Sequence, residues 1–222
     1  MGRPAALSRE RIVDCAAALI AEHGTEALSA RRLGEALGCD PSALYRHFTD
    51  MGELQRVVGD HFLVEVRVDA RNGESWDAAV RRICVELRSV QLRQPRLAAL
   101  VRAAPTRLTN ELRITEALLR ELTRGGFEPA GAASAYHALI ELTVGSAAID
   151  AELAAEPTAM RRRTYTAWRR HYAALDTADF PHAVAAASSL YEGTADDRFQ
   201  FALAALLAGL SVTAYKRVPS VP

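Results

Sequence analysis

A chain of 222 residues, half of them hydrophobic and 24% charged, is long enough to bury a substantial core and has ordinary globular composition. Its 27 basic and 27 acidic residues cancel, so bulk charge gives no support for a polyanionic partner. No run of about 18 uncharged apolar residues occurs, and the opening "MGRPAALSRERIV" lacks an apolar stretch followed by a small-residue cleavage site; both predict a cytoplasmic protein with no membrane partner.

Ser8 is a suitable N-cap, and Ile12, Ala16, Leu19 and Ile20 recur at helical spacing, which predicts a first helix to about His23, ended by Gly24. Ser29 caps a second helix, "ARRLGEAL", with Ala30, Leu33 and Leu37 on one face and Gly38 at its end. Asp40 and Pro41 open a short third helix, "PSALYRHF", since proline at the first helical position sacrifices no hydrogen bond. Asp50 caps a longer fourth, "MGELQRVVGDHFLVEVRV". Further helices are predicted over 76–93, stopped before Pro95; over "PRLAALVRA"; over 109–124, closed by Gly125 and Gly126; over 129–153; over the arginine-rich "AMRRRTYTAWRRHYAAL"; and over 196–215. Abundant alanine and the near-absence of period-2 alternation make the chain all-α. Cys15, Cys39 and Cys84 are odd in number and form no Cys-x-x-Cys or Cys/His cluster, so reduced thiols, no metal site and no cofactor are expected.

The two short helices around "GCD" have the length and turn chemistry of a helix-turn-helix, whose second helix enters the DNA major groove. At about 100° per residue, Leu44 and Phe48 share the packed side of the third helix. Ser42 and Arg46 then lie opposite, Ala43 and Tyr45 flank them, and His47 stands at the rim. Arg46 can donate two hydrogen bonds to a guanine edge, Ser42 can read a base or a phosphate, Ala43 can touch a thymine methyl and Tyr45 can bond a phosphate. Ser29 and Arg31 begin the second helix, where a hydroxyl, backbone N–H groups and the helix dipole together suit a phosphate. Arg32 adds a cation, and Arg3 lies on a tail within reach of a groove. The first 49 residues hold six arginines against six acids, so the case rests on where the arginines point. On spacing alone, a pair of ordinary helices with a solvated face fits equally well.

Residues 8 to 62 strongly resemble the N-terminal domain of the TetR family of transcriptional regulators, through "LS-x-R-x-L-x-x-x-LG" followed by "ALYRHF". The remainder resembles the branch of that family nearest the tetracycline repressor, through "GESW", "GGF", "FPH" and "DDRFQFALAALLAGL". The resemblance implies a helix-turn-helix DNA-binding domain at 1–50 and a helical effector-binding and dimerisation domain at 51–222, with the helix starting near 51 as connector. It further implies a homodimer through helices near 129–153 and 196–215, both rich in small residues such as Ala135, Ser146, Ala202, Ala205, Ala208 and Gly209. Two departures stand out. Met51 and Gly52 occupy the start of the fourth helix, where family members usually carry a phosphate-binding lysine. Leu100, Ala103 and Ile149 stand where the tetracycline repressor has groups for the drug and its magnesium, and none can ligate a hard cation.

The implied function is a ligand-responsive regulator, a repressor released from a near-palindromic double-stranded operator by a small, largely apolar effector. Candidate effector-pocket residues are Leu100, Val101, Ala104, Leu118, Leu122, Tyr136, Leu139, Ile140, Thr143, Ala147, Trp168 and Tyr172, each of which also fits plain core. In "MRRRTYTAWRRHY", Tyr165, Trp168 and Tyr172 are expected to pack inward beneath a solvated arginine face. The alternative is a helical small-molecule binder with a weakened DNA-reading head, motivated by Met51 and the neutral N-terminal charge. An enzyme is disfavoured, because no nucleophile-base pair, metal spacing or Gly-rich phosphate loop occurs.

Overall fold

The computed structural model describes residues 7–102, 105–154 and 157–216, and among these every regular element is helical and none is a strand. The head is built from α1 (Arg9–His23), α2 (Ala30–Leu37), a 3-10 segment over Pro41–Arg46 and α3 (Met51–Phe62). The predicted caps are all in use. Ser8 Oγ accepts the Arg11 N–H at 3.2 Å, Ser29 Oγ that of Arg32 at 3.3 Å, Asp40 Oδ1 that of Ser42 at 2.8 Å and Asp50 Oδ1 that of Glu53 at 2.6 Å. Each satisfies a donor that the helix itself leaves open. Ile12, Ala16, Ile20, Leu33, Leu44 and Phe48 are buried together and give the head its core.

Two glycines shape the turn. Gly38 ends α2 at φ 66°, in the left-handed region that glycine enters without penalty. At Gly34 the constraint is space: a Cβ there would lie 2.9 Å from the Cys39 carbonyl oxygen and 3.2 Å from Pro41 Cγ. The close approach of α2 to the next segment therefore requires a residue without a side chain.

Two predicted helices are corrected. The third is not an α-helix to Phe48; it is a 3-10 helix over Pro41–Arg46, with Ala43 N–H bonded to Asp40 O and His47 N–H to Leu44 O, each at 2.9 Å. Six residues before the next cap make little more than one turn, a length at which the tighter 3-10 winding is common. The fourth does not run to Val68: α3 stops at Phe62, a 3-10 turn covers Leu63–Glu65, and the chain then extends. Arg113, far along the chain, takes the freed carbonyls of Val66, Leu63 and Val64 at 2.9, 3.3 and 3.4 Å.

The body comprises α4 (Trp76–Arg93), α5 (Pro95–Arg102), α6 (Thr109–Arg124), α7 (Pro129–Ala154), α8 (Thr158–Ala173), α9 (Pro181–Ala186) and α10 (Ala195–Lys216). Helix α4 is central, packing on α5, α6, α7 and α10. Its Val80, Ile83, Leu87 and Val90 meet Ile114, Leu118 and Leu122 of α6, Leu139 of α7 and Leu203 of α10 in a core continuous with that of the head. Helix α8 has no buried residue and packs on α9. The thiols of Cys15, Cys39 and Cys84 are unbridged, and burial pushes that of Cys84 up to about 11. No helix among the described residues is long and apolar enough to cross a membrane.

Candidate nucleic-acid interface and ligand cavity

The 3-10 segment divides its side chains as a groove reader needs. Leu44 and Phe48 are 2% and 4% exposed, whereas Tyr45 is 52% exposed and Ser42 and Arg46 are open to solvent. Ala43 and His47 are half-buried at the rim. Ser29, Arg31 and Arg32 are exposed at the start of α2, beside this segment. Arg31 is engaged by Glu35 at 3.1 Å, one helical turn on. Among the described residues Arg32 and Arg46 have no acidic partner, so both guanidinium groups remain available. Arg3 lies outside the described residues. Met51 is half-buried against the head core, and no cation takes its place at the first turn of α3.

One arginine that spacing did not single out fixes the segment. Arg9 donates to the His47 carbonyl and to Glu53 Oε1 at 2.7 Å, and its guanidinium lies 4.3 Å from the centre of the Phe48 ring. Glu53 also accepts the Thr49 N–H at 2.6 Å and the Thr49 hydroxyl at 2.8 Å. These bonds, the Thr49 N–H foremost and Arg9 next, hold its carboxyl down to about 2. Arg9 thus ties α1, the end of the reading segment and the start of α3 together. In the sequence it is one of six arginines in a neutral stretch, with its partner 44 residues away.

The head is also gripped by the body. Asp60 of α3, 6% exposed, accepts the Asn110 N–H and side-chain amide at 3.1 Å each, the Glu111 N–H at 2.9 Å and the Thr106 hydroxyl at 3.0 Å. Because Asn110 and Glu111 lie in the first turn of α6, Asp60 serves as its N-terminal cap from another helix. Arg96 of α5 donates to the Ala21 carbonyl at 3.0 Å and to the Glu22 carbonyl, at the open end of α1. Gly59 lets α5 approach α3, since a Cβ there would stand 3.1 Å from Val101 and 3.2 Å from Leu100.

The chain belongs to the tetR family of bacterial regulators. Residues 12–57 match the profile "Bacterial regulatory proteins, tetR family", and residues 70–214, well over half of the chain, match "Tetracyclin repressor-like, C-terminal domain". An HTH-type transcriptional regulator of Saccharopolyspora erythraea is 30% identical over 140 residues, a match that spans 63% of this chain and 59% of that relative, less than two thirds of its length. The tetracycline repressor protein class C of Escherichia coli is 27% identical over 207 residues, covering 92% of this chain and 90% of the repressor. Among solved structures, ActR of Streptomyces coelicolor in complex with actinorhodin superposes with a TM-score of 0.85 at 26% identity, covering 95% of this chain and 99% of ActR.

The predicted effector residues fall into three places. Leu118, Leu122, Leu139, Thr143 and Ala147 are fully buried between α4, α6, α7 and their neighbours. Leu100, Val101, Tyr136 and Ile140 pack half-buried on that core, the Tyr136 hydroxyl 2.9 Å from Thr115 Oγ1. Trp168 and Tyr172 lie apart from these, on α8, and Ala103 and Ala104 lie outside the described residues. On α4, both amide ends of Gln91 are buried without a hydrogen-bond partner, a polar demand that a water or ligand would meet.

A cavity of about 690 Å³ opens between α4, α7, α8 and the segment entering α10. None of the eleven candidates among the described residues lines it; its walls include Arg88, Asp150, Arg161, Arg162, Arg169 and Tyr191. Three of the α8 arginines expected on a solvated face border this cavity, Arg162 exposed and Arg161 and Arg169 half-buried. The α8 rings also stack differently from an inward-packed stripe: Tyr165 lies parallel to Tyr191 at 5.7 Å, Trp168 meets Tyr191 at 4.8 Å, and Trp168 remains 38% exposed. They pack on Tyr191 in the loop before α10, and Arg198 of α10 donates to the Tyr165 hydroxyl at 3.0 Å.

Proposed function

We propose that the chain is a transcriptional repressor that reads a near-palindromic operator as a homodimer and releases it when a small molecule binds its body. The observation that carries this reading is the division of the 3-10 segment, with Leu44 and Phe48 locked in the core and Ser42, Tyr45 and Arg46 presented outward. In this reading Arg46 contacts a base edge, Ser42 and Ala43 read the neighbouring positions, and Tyr45, Ser29, Arg31, Arg32 and His47 hold the backbone. Residues 1–50 form the reading domain and 51–222 the effector and dimer domain.

In this reading the dimer face lies on α7 and α10. On α10, Phe201, Ala205, Ala208, Gly209 and Val212 form an exposed stripe at helical spacing, with Phe201 78% exposed, and Ile149 on α7 is 73% exposed. Small residues on such a stripe permit the close helix approach of an isologous bundle, which would set two reading segments about one DNA turn, roughly 34 Å, apart. The body reaches the head through Asp60 and Arg96, so a ligand that shifts α5 or α6 changes the spacing of the two heads.

The test is a binding titration of the purified protein on a palindromic fragment from its own upstream region, against a scrambled fragment. Specific binding that weakens steeply with salt is expected, and Arg46→Ala should lower operator affinity by about 1–3 kcal/mol while leaving the melting temperature unchanged. Equal affinity for both fragments would refute the reading.

A further inference from the structure

We propose that the cavity between α4, α7 and α8 binds a planar aromatic anion, a ring system bearing a carboxylate or a chemically similar group. This inference rests on the effector-binding reading of the body and supplies the chemistry of the ligand.

The charge balance of the walls comes first. Both acids in the lining are consumed by one arginine: Arg88 donates to Asp150 at 2.5 Å and to Asp196 at 3.1 Å. Arg161, Arg162 and Arg169, which project from α8, have no acidic partner among the described residues. The cavity therefore carries an uncompensated cationic excess. Guanidinium groups are the side chains best matched to a carboxylate, since two parallel N–H groups meet its two oxygens.

Unmet hydrogen bonds point the same way. Arg88 is 3% exposed, yet its Nε has no acceptor, and the Nε of half-buried Arg161 is also buried without one. A buried donor left open is costly, so native proteins seldom retain one without a use. An acceptor-rich anion in the cavity would meet the demand.

Aromatic surface completes the site. Tyr165 and Tyr191 both line the cavity and stack with their planes 12° apart. Tyr191 holds φ at 58°, a left-handed conformation that a bulky side chain rarely adopts. That strained backbone aims its ring at Tyr165 and Trp168. A flat ligand lying on these rings would leave its anion among the α8 guanidinium groups. The volume, about 690 Å³, accommodates several fused rings.

The full-length protein would be titrated with pyrene-1-carboxylate and, separately, with pyrene-1-carboxamide, which shares the ring system without the charge. Energy transfer from tryptophan to pyrene reports binding, and Trp168→Phe locates it. The carboxylate should bind at least tenfold more tightly than the amide, with a preference that shrinks as salt rises. Arg161→Gln combined with Arg169→Gln should abolish that preference while amide binding and the helical circular dichroism stay unchanged, and Trp168→Phe should remove most of the transfer. Similar affinity for both probes, or an unaltered preference in the double variant, would overturn the proposal. Operator binding measured on the same samples separates the two readings. Carboxylate binding that leaves operator affinity unchanged supports the anion site and overturns its role as effector site; intact operator binding without a carboxylate preference overturns the anion site alone.

Discussion

The Asp60 carboxylate of α3 holds the Glu111 backbone N–H of α6 at 2.9 Å, so the helix that carries the reading head also caps a helix of the body. Together with its bonds to Asn110 and Thr106, this makes one buried side chain the joint between the two parts. Asp60→Ala would strand the first-turn N–H groups of α6 away from water. A loss of about 3 kcal/mol is expected, measured by urea unfolding, because each unmet buried donor costs about 1–3 kcal/mol. Asp60→Asn keeps one acceptor oxygen and should lose less. Equal stability of Asp60→Ala and the parent would refute the joint.

Gly34 and Gly38 should respond differently to substitution. At Gly34 any side chain collides with the Cys39 carbonyl and Pro41, so both Gly34→Ala and Gly34→Ser should cost about 1–3 kcal/mol and displace the reading segment. At Gly38 nothing lies within 4 Å and only φ 66° is demanding, so Gly38→Ala should cost about 1–2 kcal/mol and Gly38→Asn distinctly less. Thermal melting of the four variants distinguishes crowding from backbone strain, and operator affinity should fall chiefly in the Gly34 pair.

Acid should loosen the head through Glu53. Its carboxyl is held down to about 2, against an ordinary value of 4.5, by the Thr49 N–H first and Arg9 next. A group whose folded pKa is depressed adds stability that is complete above its unfolded pKa and lost as pH falls toward the folded one. The difference in melting temperature between the parent and Glu53→Gln should therefore be constant near neutrality and close progressively from about pH 4.5 toward pH 2. A difference that does not change over that range would show that the charge of Glu53 is not what holds the clasp.

Phe201 tests the dimer face. Phe201→Glu introduces a charge into the exposed stripe of α10, which has no role in the core of its own chain. Sedimentation should give a monomer, and operator affinity should fall by at least two orders of magnitude because two half-sites are no longer bound by one molecule. A Phe201→Glu protein that remains dimeric would move the interface elsewhere.

Local chemistry made much of this architecture legible in the sequence. Ser8, Ser29, Asp40 and Asp50 cap the segments that follow them, and Gly38 and Gly125 end α2 and α6, because capping depends on residues only a few positions apart. The outward set of Ser42, Tyr45 and Arg46 followed from the angular step between neighbours, and it survived the change from α to 3-10 winding because Leu44 and Phe48 still anchor the segment.

Tertiary structure alone decided the rest. Nothing near Phe62 announces the end of α3; the carbonyls beyond it are drawn off by Arg113, about fifty residues away. Arg9 is distinguished from the other arginines of the head only by the arrival of Glu53 and the His47 carbonyl beside it. The cavity has no sequence signature, because its walls come from α4, α7, α8 and the chain entering α10, and its charge depends on which acids Arg88 has already taken. By itself the sequence determined an all-helical chain with a capped reading head and an apolar body, since caps, turns and helical faces are set by near neighbours. The joint at Asp60, the clasp at Arg9 and the chemistry of the cavity were decided by the fold, since their energies exist only once distant side chains share one desolvated place.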